Sequence, residues 1–151
     1  MVRSIALAVA FALAGVACGG SGSSGSAPSA AASASAAGSS ATCPASAALP
    51  TPVSDHGAVA ARGSSVPIQA GDFFFAPTCA TDVSAGTLTL TVHNTGTALH
   101  NVTIQSLGID KDVPAGQTIT VTVNVGSAPV PFVCKYHRTS GMVGALLPSG
   151  G

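Results

Sequence analysis

Two stretches in the second half of the chain alternate strictly between polar and apolar residues. Residues 87–93 read Thr-Leu-Thr-Leu-Thr-Val-His, and residues 118–125 read Thr-Ile-Thr-Val-Thr-Val-Asn-Val. A period of two is typical of a strand with one face on a core and the other in water. Shorter β-type runs lie at residues 66–70 and 143–147, and turn residues separate these segments. The pattern after Ser64 therefore predicts an all-β domain, and several short strands at this spacing favour a β-sandwich.

The first 63 residues have a different composition. An Arg near the N-terminus precedes an apolar run at residues 5–17, which has the length of a signal peptide and is too short to span a bilayer. Residues 18–41 are nearly all Ser, Ala and Gly, so we expect a disordered tether that cannot form a core. We assign residues 1–17 to a signal peptide, 18–41 to this linker, 42–63 to an irregular, proline-containing arm and 64–148 to the domain.

Cys18 determines how the exported chain is expected to be held. Small residues precede it and Gly and Ser follow it, which resembles the cleavage site of bacterial lipoproteins, whose Cys becomes the lipidated first residue. Gly15 departs from that pattern, in which a larger aliphatic residue is usual. We expect a lipid-anchored protein on the cell membrane that faces the periplasm or the cell exterior. The alternative is an ordinary secretory signal cut near Ala17, with a soluble secreted product; both interpretations export the chain.

Charge and motifs exclude several functions. The formal net charge is zero and only 7% of the residues are charged, so electrostatic binding to nucleic acid has no support. The sequence has no Gly-Lys-Ser/Thr phosphate loop, no dinucleotide-binding glycine pattern and no Gly-x-Ser-x-Gly nucleophile motif. We therefore expect none of these functions. We also expect a monomer that meets the membrane only through its lipid.

Three soft metal donors lie close together near the C-terminus. Cys134, His137 and Met142 have the spacing Cys-x2-His-x4-Met, and His100 upstream offers a second imidazole. Two His, one Cys and a weak axial Met form the trigonal blue-copper site, which transfers electrons. Strand parity supports this set: His100 shares a face with two aliphatic residues that follow it, and Cys134 shares a face with Phe132. We expect both side chains to point inward.

With these residues in view, the segment from about Ser64 to Pro148 resembles the cupredoxins, and its ligand-loop spacing is that of plastocyanins and pseudoazurins. The resemblance implies a Greek-key β-sandwich with one type 1 copper ion, cycling between Cu(I) and Cu(II), bound by His100, Cys134, His137 and Met142. It also implies one-electron transfer between redox protein partners, whose identity the sequence does not give. It implies no substrate chemistry, so we expect a protein that is not an enzyme. Cupredoxins often have Ser or Thr after the copper Cys, where this chain has Lys135. The tie from Asn101 to this loop is therefore expected to use backbone atoms alone.

The other cysteines pair by elimination. The chain has four Cys; with Cys18 assigned to lipid and Cys134 to copper, Cys43 and Cys79 remain. In an oxidising compartment we expect them to form a disulfide.

The remaining histidines and aromatic residues are expected to have no metal role. His93 falls on the Thr face of its strand, and His56 lies beside Asp55 in the arm, so we expect both to face solvent. Residues 73–75, three consecutive Phe, are expected to pack in the core and between the sheets. A binuclear copper centre would need a second Cys in the ligand loop, and a multicopper oxidase would need a His-x-His set.

Two functions use the same ligands. The first is a one-electron carrier outside the cytoplasm, and the alternative is a copper-binding module for sequestration or delivery; a purely structural domain is a third possibility. For the carrier, the resemblance implies a surface-exposed His137 through which the electron leaves. We expect a flat, apolar docking patch around it, formed by Ala98, Leu99, Gly141 and Val143.

Overall fold

The computed structural model describes residues 42–150, and this part of the chain forms two β-sheets that enclose a common core. The expected signal segment, Cys18 and the Ser/Ala/Gly tether lie outside the described residues. Short 3₁₀ turns occur at Ala45–Ala47, Gln105–Leu107 and Arg138–Ser140. The strands are β1 Ala58–Ala60, β2 Ser65–Gly71, β3 Phe74–Ala76, β4 Cys79–Val83, β5 Gly86–Asn94, β6 His100–Ile104, β7 Ile109–Val113, β8 Thr118–Val125, β9 Val130–Val133 and β10 Val143–Pro148.

One sheet has six strands in the order β1-β4-β10-β9-β6-β7, and the other has four in the order β3-β2-β5-β8. Strands β1, β4 and β10 pair in parallel, as do β2 and β5, whereas the other pairs are antiparallel. The predicted all-β sandwich is therefore confirmed. Between residues 42 and 150 we find no helix with the length and apolar character that crossing a membrane requires.

The alternating strands β5 and β8 build one wall of the core. They pair antiparallel with Leu90 opposite Val121, and their apolar residues are buried while the intervening Thr side chains face outward. Phe75 from β3 and Phe132 from β9 meet edge to face across the two sheets, with ring centroids 5.1 Å apart. Such aromatic pairs add about 0.5–1.5 kcal/mol beyond the area they bury. The core thus lies between the sheets, and β6, β9 and β10 bring the expected metal donors to one end of it.

Residues 42–63 are more ordered than the expected irregular arm. Strand β1 pairs in parallel with β4 and forms an edge of the six-stranded sheet. A disulfide joins Cys43 to Cys79, the pair expected from the sequence, with a Cα–Cα distance of 5.4 Å. The buried Thr78 hydroxyl accepts a hydrogen bond from the His56 backbone N–H at 2.7 Å. Periodicity missed β1 because three residues are too few to show a pattern, and the partner strand lies about twenty residues away.

Candidate metal centre

His100 begins β6 and points into the core. Its side chain is fully buried, as are Val102 and Ile104 on the same face of the strand. The preceding loop is fixed by the buried Asn94, whose side-chain N–H groups donate to the backbone oxygens of Ala98 and Val113, both at 2.8 Å. The strand and the loop together give His100 a defined position before any metal binds.

Cys134 follows β9 directly and opens the ligand loop. Its thiol is buried, and its backbone N–H donates to the Met142 oxygen at 3.0 Å while its own oxygen accepts from the His137 N–H at 3.1 Å. The His137 oxygen in turn accepts from the Met142 N–H at 3.2 Å. The loop ends at Gly141, whose φ of +87° favours a residue without a Cβ. These bonds close the segment from Cys134 to Met142 into a compact turn.

Three of the four expected ligands converge. The Nδ1 or Nε2 atoms of His100 and His137 and the Cys134 Sγ lie within 4.8 Å of one another. The two Nδ1 atoms are 3.3 Å apart, and the His137 Nδ1 is 3.5 Å from the Cys134 Sγ. Donors bound to one ion at about 2.0 Å for nitrogen and about 2.3 Å for sulfur lie about 3.3–3.8 Å apart at tetrahedral to trigonal angles. The donor set therefore fits a single metal ion.

Met142 lies at the other end of the ligand loop. Its side chain is fully buried and belongs to the same core cluster as Cys134. Its backbone is hydrogen-bonded to both Cys134 and His137, as described above. The loop thus keeps this residue next to two of the converging donors.

An ionised carboxylate holds the second nitrogen of His100. Asp72 Oδ1 lies 2.9 Å from His100 Nε2. The backbone N–H of Thr97, followed by its hydroxyl, lowers the pKa of Asp72 to about 2, so the carboxylate only accepts hydrogen bonds. His100 must then donate from Nε2, and because burial lowers the pKa of this imidazole, Nδ1 is left with a free lone pair. That lone pair faces the other donors.

The backbone tie expected between Asn101 and the ligand loop is present but long, and a charged bridge adds to it. The Lys135 N–H lies 3.5 Å from Asn101 Oδ1, which is a weak contact. The Asn101 side-chain N–H groups also donate to Asp110 at 2.7 Å and to Asp112 at 2.9 Å, and both carboxylates bind the Lys135 ammonium. Because the Lys side chain reaches β7, it replaces the missing hydroxyl with a charged bridge that sequence spacing did not reveal.

Burial opposes ionisation of the Cys134 thiol. Removal from water raises the pKa of Cys134, and hydrogen bonds from the Tyr136 and His137 backbone oppose this by smaller amounts. A bound metal ion deprotonates such a thiol outright. The site therefore favours a thiol when empty of metal and a thiolate when loaded.

The surface near the centre differs from the expected docking patch. Leu99 is 45% exposed and Ala98 is half-buried, but Gly141 and Val143 are buried, so their assignment to the patch is wrong. Val143 is the first residue of β10, inside the six-stranded sheet, and Ser54 of the arm covers Gly141, donating to its oxygen at 2.9 Å. His137 is partly exposed.

The Phe run is also only partly in the core. Phe75 is fully buried, whereas Phe74 stacks on His56 with ring centroids 3.8 Å apart. Phe73 is 41% exposed and lies against His137, with ring centroids 4.2 Å apart. Strand β3 begins at Phe74, so alternation within it turns Phe75 inward and Phe74 outward, while Phe73 precedes the strand and lies outside the core. Phe73 is therefore an exposed apolar side chain beside the half-buried imidazole, and the exposed Leu99 directly precedes His100 in the chain.

The other histidines lie away from the three converging donors. His93 is exposed and its Nδ1 is 2.9 Å from the Thr118 hydroxyl, and His56 is exposed at the Phe74 ring. A cleft of about 530 Å³, lined mainly by small apolar residues of β1, β2 and β3, contains none of the four expected ligands. The metal donors therefore form their own site at the end of the sandwich.

Sequence reasoning missed Asp72 and Phe73 as neighbours of the centre. The parallel register sets Ala70 of β2 opposite Asn94 of β5, so the residues that follow both strands meet at one edge. That pairing joins segments more than twenty residues apart, and no local pattern in the sequence predicts it.

Comparison with known proteins gives the family and the fold. Residues 42–146 match the family described as a cupredoxin-like domain, a match that includes the arm. No curated protein sequence matches the chain. Similar solved structures include the metal-binding domain of a Cu(I)-exporting P-type ATPase of Streptococcus pneumoniae, solved with Cu(I), at a TM-score of 0.51 and 13% identity over 62% of this chain and 96% of that chain. An auracyanin from Roseiflexus castenholzii has a TM-score of 0.49 and 17% identity over 59% and 99% of the two chains. A mutant fern plastocyanin has a TM-score of 0.47 and 19% identity over 56% and 100%.

Proposed function

The chain belongs to the cupredoxin-like domain family, and from that premise we propose that it holds one copper ion and carries single electrons between redox partners outside the cytoplasm. The observation that carries this proposal is the convergence of the Cys134 thiol with the His100 and His137 imidazoles within 4.8 Å. A thiolate with two imidazoles is the equatorial set of an electron-transfer copper site, and a thioether is its weak axial ligand. Met142, fixed at the end of the same loop, is the proposed axial ligand.

The protein's own residues would keep the site rigid. Bound there, a copper ion supplies a one-electron couple between Cu(I) and Cu(II). Cys134 gives up its proton on binding, and the loop hydrogen bonds hold its sulfur in place. Asp72 fixes the His100 ring, and the bridge of Lys135, Asp110 and Asp112 braces the loop from β7. Because these contacts form without the ion, little has to move when the charge of the site changes.

Burial of the donors supports a carrier over a delivery module. The side chains of His100, Cys134 and Met142 are fully buried, and only His137 among the four reaches solvent. A delivery module must pass its ion to an acceptor's ligands, which requires accessible donors. An electron needs only a short path to the surface, and the half-buried His137, which packs against the exposed Phe73, provides one.

The exposed apolar surface suits a brief encounter with a protein partner. Leu99 is 45% and Phe73 is 41% exposed, and the nearby Lys135 is already paired with two carboxylates. Electron-transfer complexes bury small areas and bind weakly. We expect redox proteins as partners and only modest electrostatic steering.

The disulfide between Cys43 and Cys79 supports an oxidising compartment. We extend the proposal to export, with Cys18 lipidated and residues 18–41 acting as a tether, and to a monomeric, non-enzymatic protein. Cys18→Ser should release the domain from the membrane fraction without changing its colour. If the unaltered chain is itself found in the soluble fraction, the N-terminus is an ordinary secretory signal and not a lipoprotein signal.

Voltammetry combined with a competition assay tests the choice of function. The copper-loaded chain should give a reversible one-electron wave and should keep its copper for hours against a Cu(I) chelator such as bathocuproine disulfonate. The buried donors explain both expectations. Rapid loss of copper to the chelator together with an irreversible wave would favour delivery, and failure to bind copper at all would favour a purely structural domain.

A further inference from the structure

The dipeptide between β2 and β3 contacts both imidazoles of the metal centre, although it contributes none of the proposed ligands. Asp72 Oδ1 is 2.9 Å from His100 Nε2, and the adjacent Phe73 ring lies against the His137 ring at a centroid distance of 4.2 Å. The same Phe73 ring meets His100 edge on, at 6.2 Å. One short segment thus touches two residues that lie 37 positions apart, one at the start of β6 and the other in the ligand loop.

Both carboxylate oxygens of Asp72 accept hydrogen bonds. Its Oδ2 accepts from the Thr97 N–H at 2.8 Å and from the Thr97 hydroxyl at 2.9 Å. Its Oδ1 accepts from the Ala98 N–H at 3.2 Å in addition to the His100 ring. Backbone donors cannot reverse their polarity, so the carboxylate is held in one orientation by the loop that leads into β6.

Close packing shows that this loop is shaped around the carboxylate. A side chain at Gly96 would collide with the Asp72 carboxyl group, so the position requires glycine. Because the backbone on both sides is fixed, the hydrogen bond to His100 Nε2 sets the plane of that ring as well as its tautomer. A metal-binding His commonly donates its other N–H to a carboxylate in this way, which orients the ring and makes it a stronger ligand.

Phe73 limits the movement of the other imidazole. The His137 ring is the one proposed ligand that is partly exposed, and the two rings are inclined by 36°. Removal of the aromatic face would leave His137 free to rotate toward solvent, since its loop neighbours Arg138 and Thr139 are both exposed.

We propose that Asp72 and Phe73 form a positioning segment that fixes the orientation of both imidazoles: Asp72 acts through His100, and Phe73 acts through His137. This inference rests on the proposed copper function for its effect on the metal. Its structural half, the orientation and tautomer of His100, holds in the metal-free protein. The two halves can therefore be tested separately.

The first test needs no metal. Long-range ¹H–¹⁵N correlation spectra of the metal-free chain at pH 8 should show His100 with its proton on Nε2, and Asp72→Asn should shift part of the population to the Nδ1–H tautomer. Asp82→Asn is the matched control, because Asp82 is exposed and, within residues 42–150, its carboxylate hydrogen-bonds only to the Thr81 hydroxyl. A proton on Nδ1 of His100 in the unaltered chain would overturn the assignment, whether or not the variant folds.

The second test measures the copper affinity and the reduction potential. Loss of a carboxylate partner typically weakens metal binding by about 10–100-fold, so Asp72→Asn should lose about that much Cu(II) affinity and raise the reduction potential, while Asp82→Asn stays at the value of the unaltered chain. A less basic His100 stabilises Cu(II) less than before, which gives the direction of the potential change. If Asp72→Asn lowers only the melting temperature, with affinity and potential unchanged, Asp72 is merely a loop contact and the proposal is wrong.

Phe73→Leu should broaden the visible band and slow electron self-exchange, since His137 then samples several orientations. Phe74→Leu is its control, because the neighbouring ring stacks on His56 and not on the centre. Equal effects of the two variants would overturn the role of Phe73. If the unaltered chain binds no copper, the proposed function fails, but the tautomer measurement still decides the role of Asp72.

Discussion

Two opposing demands meet at the Cys134 side chain. Burial raises the pKa of this thiol, which keeps it protonated and unreactive in the metal-free chain. Metal binding requires the thiolate, so the ion must supply the free energy for deprotonation. The consequence is proton release on loading, and copper affinity that increases with pH until the thiol ionises by itself. Because the sulfur is buried, oxidants in solution have little access to it.

Met142 is the residue at which the proposed axial ligation can be tested with little damage to the fold. Met142→Leu conserves volume in a fully buried position, so the free energy of unfolding should fall by less than about 1.5 kcal/mol. Copper should still bind, and the reduction potential, measured by voltammetry, should rise because a weak donor to Cu(II) is lost.

Leu146→Met is the matched control for that experiment. It makes the reverse exchange at another fully buried position, four residues further along the chain, where no metal donor is proposed. Its potential should equal that of the unaltered protein. Equal shifts in the two variants would mean that core packing and not the thioether sets the potential, and no shift in Met142→Leu would remove Met142 from the ligand set.

Among the elements, the arm depends most clearly on a covalent contact. Strand β1 has three residues and one neighbouring strand, so its own pairing is weak, whereas the disulfide closes a loop of 36 residues. Replacing Cys43 and Cys79 together with Ala should lower the free energy of unfolding by about 3–4 kcal/mol in the chain-entropy model. Urea denaturation measures this, and the visible band of the copper-loaded protein should persist, because neither cysteine is a proposed ligand.

Asp55→Asn separates the cross-link from the rest of the arm. The Asp55 carboxylate accepts from the Cys43 N–H at 3.0 Å, so this variant disturbs the arm while leaving the disulfide intact. We expect a much smaller loss of stability than in the double variant. A urea midpoint that is unchanged in the Cys43/Cys79 variant would show that the disulfide does not stabilise the domain.

The sequence carried the alternating strands and the local ligand loop, but not the contacts between distant segments. Strict alternation identified β5 and β8, and parity placed His100 and Cys134 on inward faces. Each of these features depends on a pattern that spans fewer than ten consecutive residues. Strand β1 and Asp72 depend on parallel pairings across about twenty residues, and a pattern read along the chain does not contain them.

Corrections to the surface have the same physical origin. Val143 resembles an exposed apolar neighbour of His137 in the sequence, yet it enters a strand with partners on both sides and is buried. Phe73 resembles a core residue, yet the short β3 leaves it outside against the imidazole. Burial of a side chain next to a turn depends on the strands that flank it, which come from elsewhere in the chain.

For the molecule as a whole, the position of the docking surface follows from exposure. Leu99, which directly precedes the buried His100 in the chain, is 45% exposed. Leu99→Glu places a charge there, so electron self-exchange between two copies, measured by NMR line broadening of mixed oxidation states, should slow at least several-fold. The visible band should stay the same, because Leu99 contributes no proposed ligand.

Leu107→Glu is the matched control for the docking surface. Leu107 is 40% exposed in the 3₁₀ turn after β6, at the opposite end of that strand from His100. It adds the same charge without approaching the imidazole, so self-exchange should change little. If both variants exchange at the same rate as the unaltered chain, the electron leaves elsewhere, and the 46% exposed Tyr136 is the next residue to test.

The most direct test of the central claim is a titration of the chain with Cu(II), followed by visible absorption spectroscopy. One equivalent should produce an intense thiolate-to-copper charge-transfer band that saturates there, because Cys134 binds as a thiolate beside two imidazoles. Cys134→Ser should abolish the band, whereas His93→Gln, at an exposed histidine away from the centre, should retain it. A colourless Cu(II) complex of the unaltered chain, or a band that survives Cys134→Ser, would contradict the account.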